Sequence, residues 1–428
     1  MMAKNYRERI ADELLDKKLA SKGAILIRGP KWCGKTTTAE QHAKSIIYLN
    51  DPANSRQYEE LASINPSLLL MGETPRLIDE WQIAPQLWDA VRFEVDHRHK
   101  TGQFILTGSA VPVEKNTHRH TGTGRFAIID MLPMSLFESG ESTGDVSLAH
   151  LFTSPDSISG QNSHNLNDIA FFACRGGWPF AVSSHLDKQA CLSQSYDYLD
   201  LIVEEDISRV DGVGRNSALA RSILRSYARY QGNQVPLSMI RKDVISNETD
   251  TLSEETVSSY INALRQIFVI KDLDAWNPNL ISKTAIRTTP TRYFTDPSIA
   301  TAALRLGPDD LIASLNLFGF IFETLCIRDL RVYSTLLDGD IFHYRDSNGL
   351  ECDAVIHLRN GQFGIIEIKL GGEKSIEEGA KNLKKLESII DLEKMNRPSF
   401  LMVLTAVGTF AYRRTDGVYV VPIGCLKP

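Results

Sequence analysis

The segment Gly29-Pro30-Lys31-Trp32-Cys33-Gly34-Lys35-Thr36 has the residue types and spacing of a phosphate cradle, GxxxxGK[ST]. An apolar run, Ala24–Ile27, precedes it, and a helical stretch from Thr37 to Lys44 follows. In that setting consecutive backbone N–H groups point at phosphate oxygens, and the helix amino terminus adds partial positive charge. Lys35 would bridge the β- and γ-phosphates of a nucleotide, and the Thr36 hydroxyl would ligate Mg²⁺. The segment Gly29–Thr37 is therefore the expected nucleotide-binding segment.

Hydrolysis needs a carboxylate at a strand end, and Leu77-Ile78-Asp79-Glu80 supplies two. Asp79 would orient the magnesium and its waters, and Glu80 would polarise the attacking water as general base. An acidic pair after two apolar residues is common; its position downstream of the glycine-rich loop gives it weight. Phe104-Ile105-Leu106-Thr107-Gly108-Ser109 is a third strand ending in small polar residues. There Thr107 or Ser109 would sense the γ-phosphate or hold the water, the alternative being a plain strand-end turn. Arg125, in Gly122-Thr123-Gly124-Arg125-Phe126, is either a guanidinium reaching a transferring phosphoryl group, in its own or a neighbouring subunit, or a surface arginine.

A second constellation lies near the carboxyl end. Asp353, in Glu351-Cys352-Asp353-Ala354-Val355, is followed fourteen residues later by Glu367-Ile368-Lys369, and Glu323 lies upstream in a helical stretch. Asp353 and Glu367, with Glu323, would hold a divalent metal in an all-oxygen shell. Such a metal activates a bound water and clamps a phosphate. Lys369 would orient that water. Glu367 and Lys369 share one strand face. Asp353 joins it only if a three-residue loop, Arg359-Asn360-Gly361 with Gly361 left-handed, pairs 353 with 367. A two-residue Asn360-Gly361 turn would turn Asp353 away, so the three-residue loop is expected.

In order and spacing, GPKWCGKT, RLIDEWQ, FILTGS and TGRF resemble a prokaryotic AAA-type ATPase family with a C-terminal domain of unknown function. Trp32, Cys33, Trp81 and Thr123 vary from its pattern without removing a catalytic group. The resemblance runs through Arg175-Gly176-Gly177-Trp178-Pro179 and Arg292-Tyr293-Phe294-Thr295-Asp296 to the end region. The E…D…ExK pattern itself resembles the PD-(D/E)xK nuclease superfamily, with Cys352 where that family has proline. These resemblances imply ATP and Mg as cofactors, and they leave open a nuclease that cuts, or a degenerate nuclease-like scaffold acting in a nucleotide-gated sensor.

The elements that must position these groups follow from periodicity. Ala24–Ile27, Ile46–Leu49, Leu77–Ile78, Ile105–Leu106 and Phe126–Met131 read as buried strands separated by helices, which predicts a parallel sheet. Glu138 to Asn167, rich in Ser, Gly, Thr and Asn, reads as linker or exposed loop. Helical patterning resumes to about Arg209, and 215 to about 300 reads as a winged-helix unit. Its helix Ser253–Phe268 buries Val257, Tyr260, Ile261 and Leu264 and turns a polar but not basic face outward. Arg221, Arg225 and Arg229 form a positive stripe on another helix, read as a solvated or ion-paired face or as a contact for nucleic acid. Expected domains are 1–135 (P-loop, AAA-like), 136–210 (linker and helical lid), 211–305 (winged helix) and 311–428 (α+β, restriction-endonuclease-like).

Composition agrees. The 428 residues suggest about three domains. At 43% hydrophobic and 23% charged the chain is neither disordered nor fibrous. A net charge of −6 argues against general coating of DNA, leaving any contact with DNA to local grooves. No apolar run approaches bilayer length, and residues 1–10 lack an apolar leader core. The six scattered cysteines read as reduced thiols of a cytoplasmic protein. A homo-oligomer is left open.

Overall fold

The computed structural model describes residues 6–109, 122–153, 158–183, 186–248, 251–277, 289–393 and 395–428. The chain forms two compact units. The first comprises Met1–Pro133, Glu205–Gly214 and Ala263–Phe268; the second holds the rest.

The first unit is built on five strands: β1 (Ala24–Arg28), β2 (Ser45–Tyr48), β3 (Arg76–Asp79), β4 (Phe104–Gly108) and β5 (Phe126–Asp130). They pair in the order β2-β3-β4-β1-β5, all parallel, as the strand–helix alternation predicts. Parallel strands need helical crossovers, so both faces are covered and the strands read as unbroken apolar runs. Alternation divides them between two cores. Ile25, Ile27, Leu77 and Ile105 pack with Leu15 and Leu19 of helix Ile10–Leu19. Ala24, Leu26, Ile78 and Leu106 pack on the other face with Trp81, Trp88 and Val91.

The second unit carries a mixed seven-stranded sheet. Its strands include β6 (Val146–Ser147) and β7 (Gly160–Gln161), then β8 (Gly339–Arg345), β9 (Glu351–Leu358), β10 (Phe363–Lys369), β11 (Phe400–Thr405), β12 (Phe410–Arg413), β13 (Tyr419–Pro422) and β14 (Leu426–Lys427). The sheet order is β7-β12-β13-β11-β10-β9-β8, and β6 pairs separately with β14. β11 runs parallel to both β10 and β13. Helix Glu373–Ile389 crosses from β10 to β11 and buries Ala380, Leu383 and Leu386 against Val355, Phe363 and Val403. The stretch expected to be linker is therefore stitched into this unit through β6 and β7. Polar composition there reflects two-residue edge strands rather than free chain.

Between the two sheets in sequence come helices Ser217–Arg229, Leu237–Glu248 and Glu254–Gln266, then antiparallel bridges Ile270–Phe294 and Leu273–Thr291. The segment around Asp272 is held by a buried ion pair, Arg292 Nη1 to Asp272 Oδ2 at 2.9 Å. Ala275 bridges His343 of β8, which joins this segment to the C-terminal sheet in one unit. The arginine stripe is not an open cationic face. Arg221 is held by Asp200 and Glu204, and Arg229 by Asp243. Among the described residues no helix is long and apolar enough to cross a membrane.

Candidate nucleotide site and C-terminal carboxylate cluster

The glycine-rich loop leaves the carboxyl end of β1 and enters helix Lys35–His42. A Cβ on Gly29 would lie 2.0 Å from the Met131 carbonyl oxygen, so no side chain fits there. Gly34 turns the loop into the helix with φ +102°, a left-handed conformation suited to glycine. Cys33 is fully buried beneath the loop, whereas Lys31, Trp32 and Thr37 face outward. Lys31 Nζ meets Asp206 Oδ1 at 2.6 Å. Lys35 is buried, its Nζ donating to the carbonyls of Gly29 (3.1 Å) and Pro30 (2.8 Å). The ammonium thus spans the mouth of the loop.

Two elements converge on Asp79 at the end of β3. The Thr36 hydroxyl donates to Asp79 Oδ1 at 2.7 Å, and the Thr107 hydroxyl from β4 donates to the same oxygen at 2.5 Å. Parallel pairing makes this possible, since Asp79 lies directly beside Thr107 in register. A hydroxyl and a buried carboxylate in contact form a hard-oxygen donor pair suited to Mg²⁺. Glu80 follows with φ +55°, a left-handed conformation unusual for a side-chain-bearing residue and of the kind that collects at functional sites. Its Oε2 accepts from the Gln82 amide and, at 3.5 Å, from the Ser109 hydroxyl. Thr107 thus serves Asp79 and Ser109 serves Glu80, so both belong to the site through the carboxylates.

Arg125 does not join them. β1 and β5 are parallel with Ala24 beside Phe126, so Arg125 sits where these strands begin and the loop where they end. Five strand residues, about 16 Å, separate the two edges. The half-exposed Arg125 instead pairs with Asp96 at 2.7 Å. A role for Arg125 at the nucleotide of its own subunit is thereby corrected; parallel strand direction, invisible in the motif TGRF, is the reason.

A residue outside the motifs completes the loop. Buried Arg9 donates to the Cys33 carbonyl at 2.8 Å and the Leu132 carbonyl at 2.9 Å, clamping the loop from below. It is set by a network in which Tyr6 donates to Asp12 and His42 lies 2.8 Å from both Asp12 and Asp16. The hydrogen bond to Asp12 holds the His42 imidazole above its ordinary range. No local pattern in Arg7-Glu8-Arg9 marks this role.

In the C-terminal unit the expected loop is present. Leu358 N–H donates to the Gln362 carbonyl at 2.8 Å, enclosing Arg359-Asn360-Gly361, and Gly361 has φ +87°. The ladder pairs His357 with Phe363 through to Ala354 with Ile366, the register that puts Asp353 opposite Glu367. There the Asp353 carboxylate takes over from backbone pairing and accepts the Ile368 N–H at 2.7 Å. Lys369 Nζ lies 2.6 Å from Glu367 Oε2 and 3.3 Å from Asp353 Oδ2. The Tyr293 hydroxyl donates to Glu323. Burial, then the neighbouring Asp353, pushes the Glu367 carboxyl up to about 8; the same two causes raise Glu323 well above the carboxylate range. Burial opposes charge on Lys369, yet Asp353 and Glu367 outweigh it and raise its pKa. Glu323, Asp353, Glu367 and Lys369 thus form one electrostatic cluster. Among the described residues, however, no three carboxylate, histidine or cysteine side chains converge to hold a metal. Lys369 lies between the carboxylates, so a Glu323–Asp353–Glu367 metal cage does not fit this arrangement.

The five-stranded parallel sheet, the phosphate loop and the acid at the end of β3 have the arrangement of a P-loop nucleotide-binding fold. Residues 21–139 match the family model described as an AAA domain. Residues 166–310 and 318–426 match two models described as domains of unknown function, DUF8612 and DUF4143 respectively. Uncharacterized proteins of Mycobacterium tuberculosis and Mycobacterium bovis are each 23% identical over 409 residues, covering 93% of this chain and 79% of theirs. Among solved structures, a Walker-type ATPase of Pyrococcus abyssi is 15% identical with a TM-score of 0.43, covering 70% of this chain and 95% of that one.

Proposed function

We propose that this chain hydrolyses ATP with Mg²⁺ and couples its nucleotide state to a nuclease-like C-terminal module. The convergence of Thr36 and Thr107 on Asp79, with Glu80 next in sequence, carries the first half of this reading. Thr36 and Asp79 would hold the metal, which when bound neutralises charge on the β- and γ-phosphate oxygens. The loop N–H groups and Lys35 bind the phosphates. Glu80 accepts the proton of the attacking water, and Gln82 and Ser109 hold its carboxylate in position. Arg125 enters only as a residue donated from a neighbouring subunit in a homo-oligomer. Substituting Lys35→Ala should abolish ATP turnover; undiminished turnover overturns the reading.

For the C-terminal module, the Lys369 bridge favours a second reading: a partner- or DNA-binding sheet, gated by nucleotide, that cuts nothing. A Mg²⁺- or Mn²⁺-dependent nuclease assay with Asp353→Ala and Glu367→Ala controls separates the two. A gel shift at two salt concentrations tests DNA as the partner. The six cysteines are all buried free thiols, which supports a cytoplasmic setting.

A further inference from the structure

Trp32 occupies the fourth position of the glycine-rich loop, and two of its features bear on ligand contact. Its backbone has φ +64°, a left-handed conformation that strains a bulky side chain. Its side chain is 53% exposed, although Cys33 beside it is fully buried. The local fold therefore gains little burial from the indole. The loop is fixed around it: Lys31 is held by Asp206, Cys33's carbonyl by Arg9, and Gly34 opens the helix. A solvent-exposed aromatic side chain thus stands on the loop that would cradle the phosphates.

We propose that Trp32 is a nucleoside-contact residue, its indole stacking on the sugar–base moiety of the nucleotide whose phosphates the loop holds. Every base offers a π-face, so this contact adds affinity without choosing a base. The inference rests on the P-loop reading above and adds to it a contact that phosphate alone cannot make.

The test compares Mg–ATP with Mg–tripolyphosphate, which carries the phosphates without the nucleoside. Binding is measured by calorimetry on the full chain, its Trp32→Gly and Trp32→Phe variants, and Lys35→Ala. Glycine takes φ +64° without strain, so Trp32→Gly should fold with an unchanged or higher Tm. It should bind ATP at least about fivefold more weakly while binding tripolyphosphate as before; Trp32→Phe should restore most of the loss. Lys35→Ala should lose both ligands. Equal ATP affinity in Trp32→Gly and the parent overturns the proposal, as does an equal loss for both ligands, which would mark Trp32 as a loop-shaping residue. A parent chain that binds neither ligand overturns the P-loop reading and this one together.

Discussion

The Thr36 hydroxyl donates to Asp79 at 2.7 Å, joining two side chains 43 positions apart at the carboxyl edge of one parallel sheet. Asp79→Asn keeps the shape but removes the charge that pairs with a divalent cation. We expect Mg²⁺-supported ATP turnover to fall at least about a hundredfold. Steady-state rates across a Mg²⁺ titration check this.

Glu80 faces Gln82 and Ser109 rather than Asp79. Glu80→Gln should therefore leave nucleotide affinity within about twofold while lowering kcat by about a hundredfold or more, the range of general-base loss. Parallel binding and turnover measurements separate the two effects. An equal loss in both would place Glu80 in binding.

Arg125 lies on the sheet edge opposite the loop and pairs with Asp96. Arg125→Ala should leave ATP affinity unchanged in dilute, unassembled protein, as read by calorimetry. Loss of turnover that appears only as concentration drives assembly would identify donation in trans.

The Tyr6–Asp12–His42 network predicts a pH-dependent clamp. The His42 pKa is raised in the fold, so the stability it contributes is full below its unfolded value, near 6.5, and is lost as pH rises through the folded value. Burial opposes ionisation of Asp12, but its hydrogen bonds from His42, Tyr6 and the Arg9 backbone outweigh that and lower its pKa. Its contribution is present above about pH 4 and is lost as pH falls through the folded value. His42→Ala should lower stability by about 1–2 kcal/mol at pH 6, with the difference shrinking toward pH 9. Denaturant titrations at both pH values measure it.

The buried Glu367 carboxyl, raised to about 8, has the sign opposite to Asp12 and the same as His42. The folded chain holds a proton that the unfolded chain releases near pH 4.3, so stability falls as pH rises from there toward about 8. Glu367→Gln should therefore gain Tm relative to the parent as pH rises from 5 to 8.5. A constant difference across that range would show that Lys369 keeps Glu367 ionised throughout.

Much of this was legible in sequence because it is local. The loop spacing, the apolar strands and the Arg359–Gly361 turn depend on backbone preferences within a few residues, and the turn in particular fixes which face Asp353 shares. The stretch Glu138–Asn167 was not legible, because its strands pair with residues near position 411 and near the carboxyl end. Such short edge strands leave no periodic signal of their own.

The sequence alone determined the phosphate cradle, the acidic pair, the parallel α/β class and the register of the C-terminal hairpin. Only the tertiary structure decided which side chains share a site. It joined Thr36 and Thr107 on Asp79, put Arg9 beneath the loop, moved Arg125 to the far edge and set Lys369 between Asp353 and Glu367. The reason is physical: backbone preference acts between neighbours in the chain, whereas strand direction, burial and charge pairing act between residues the fold brings together.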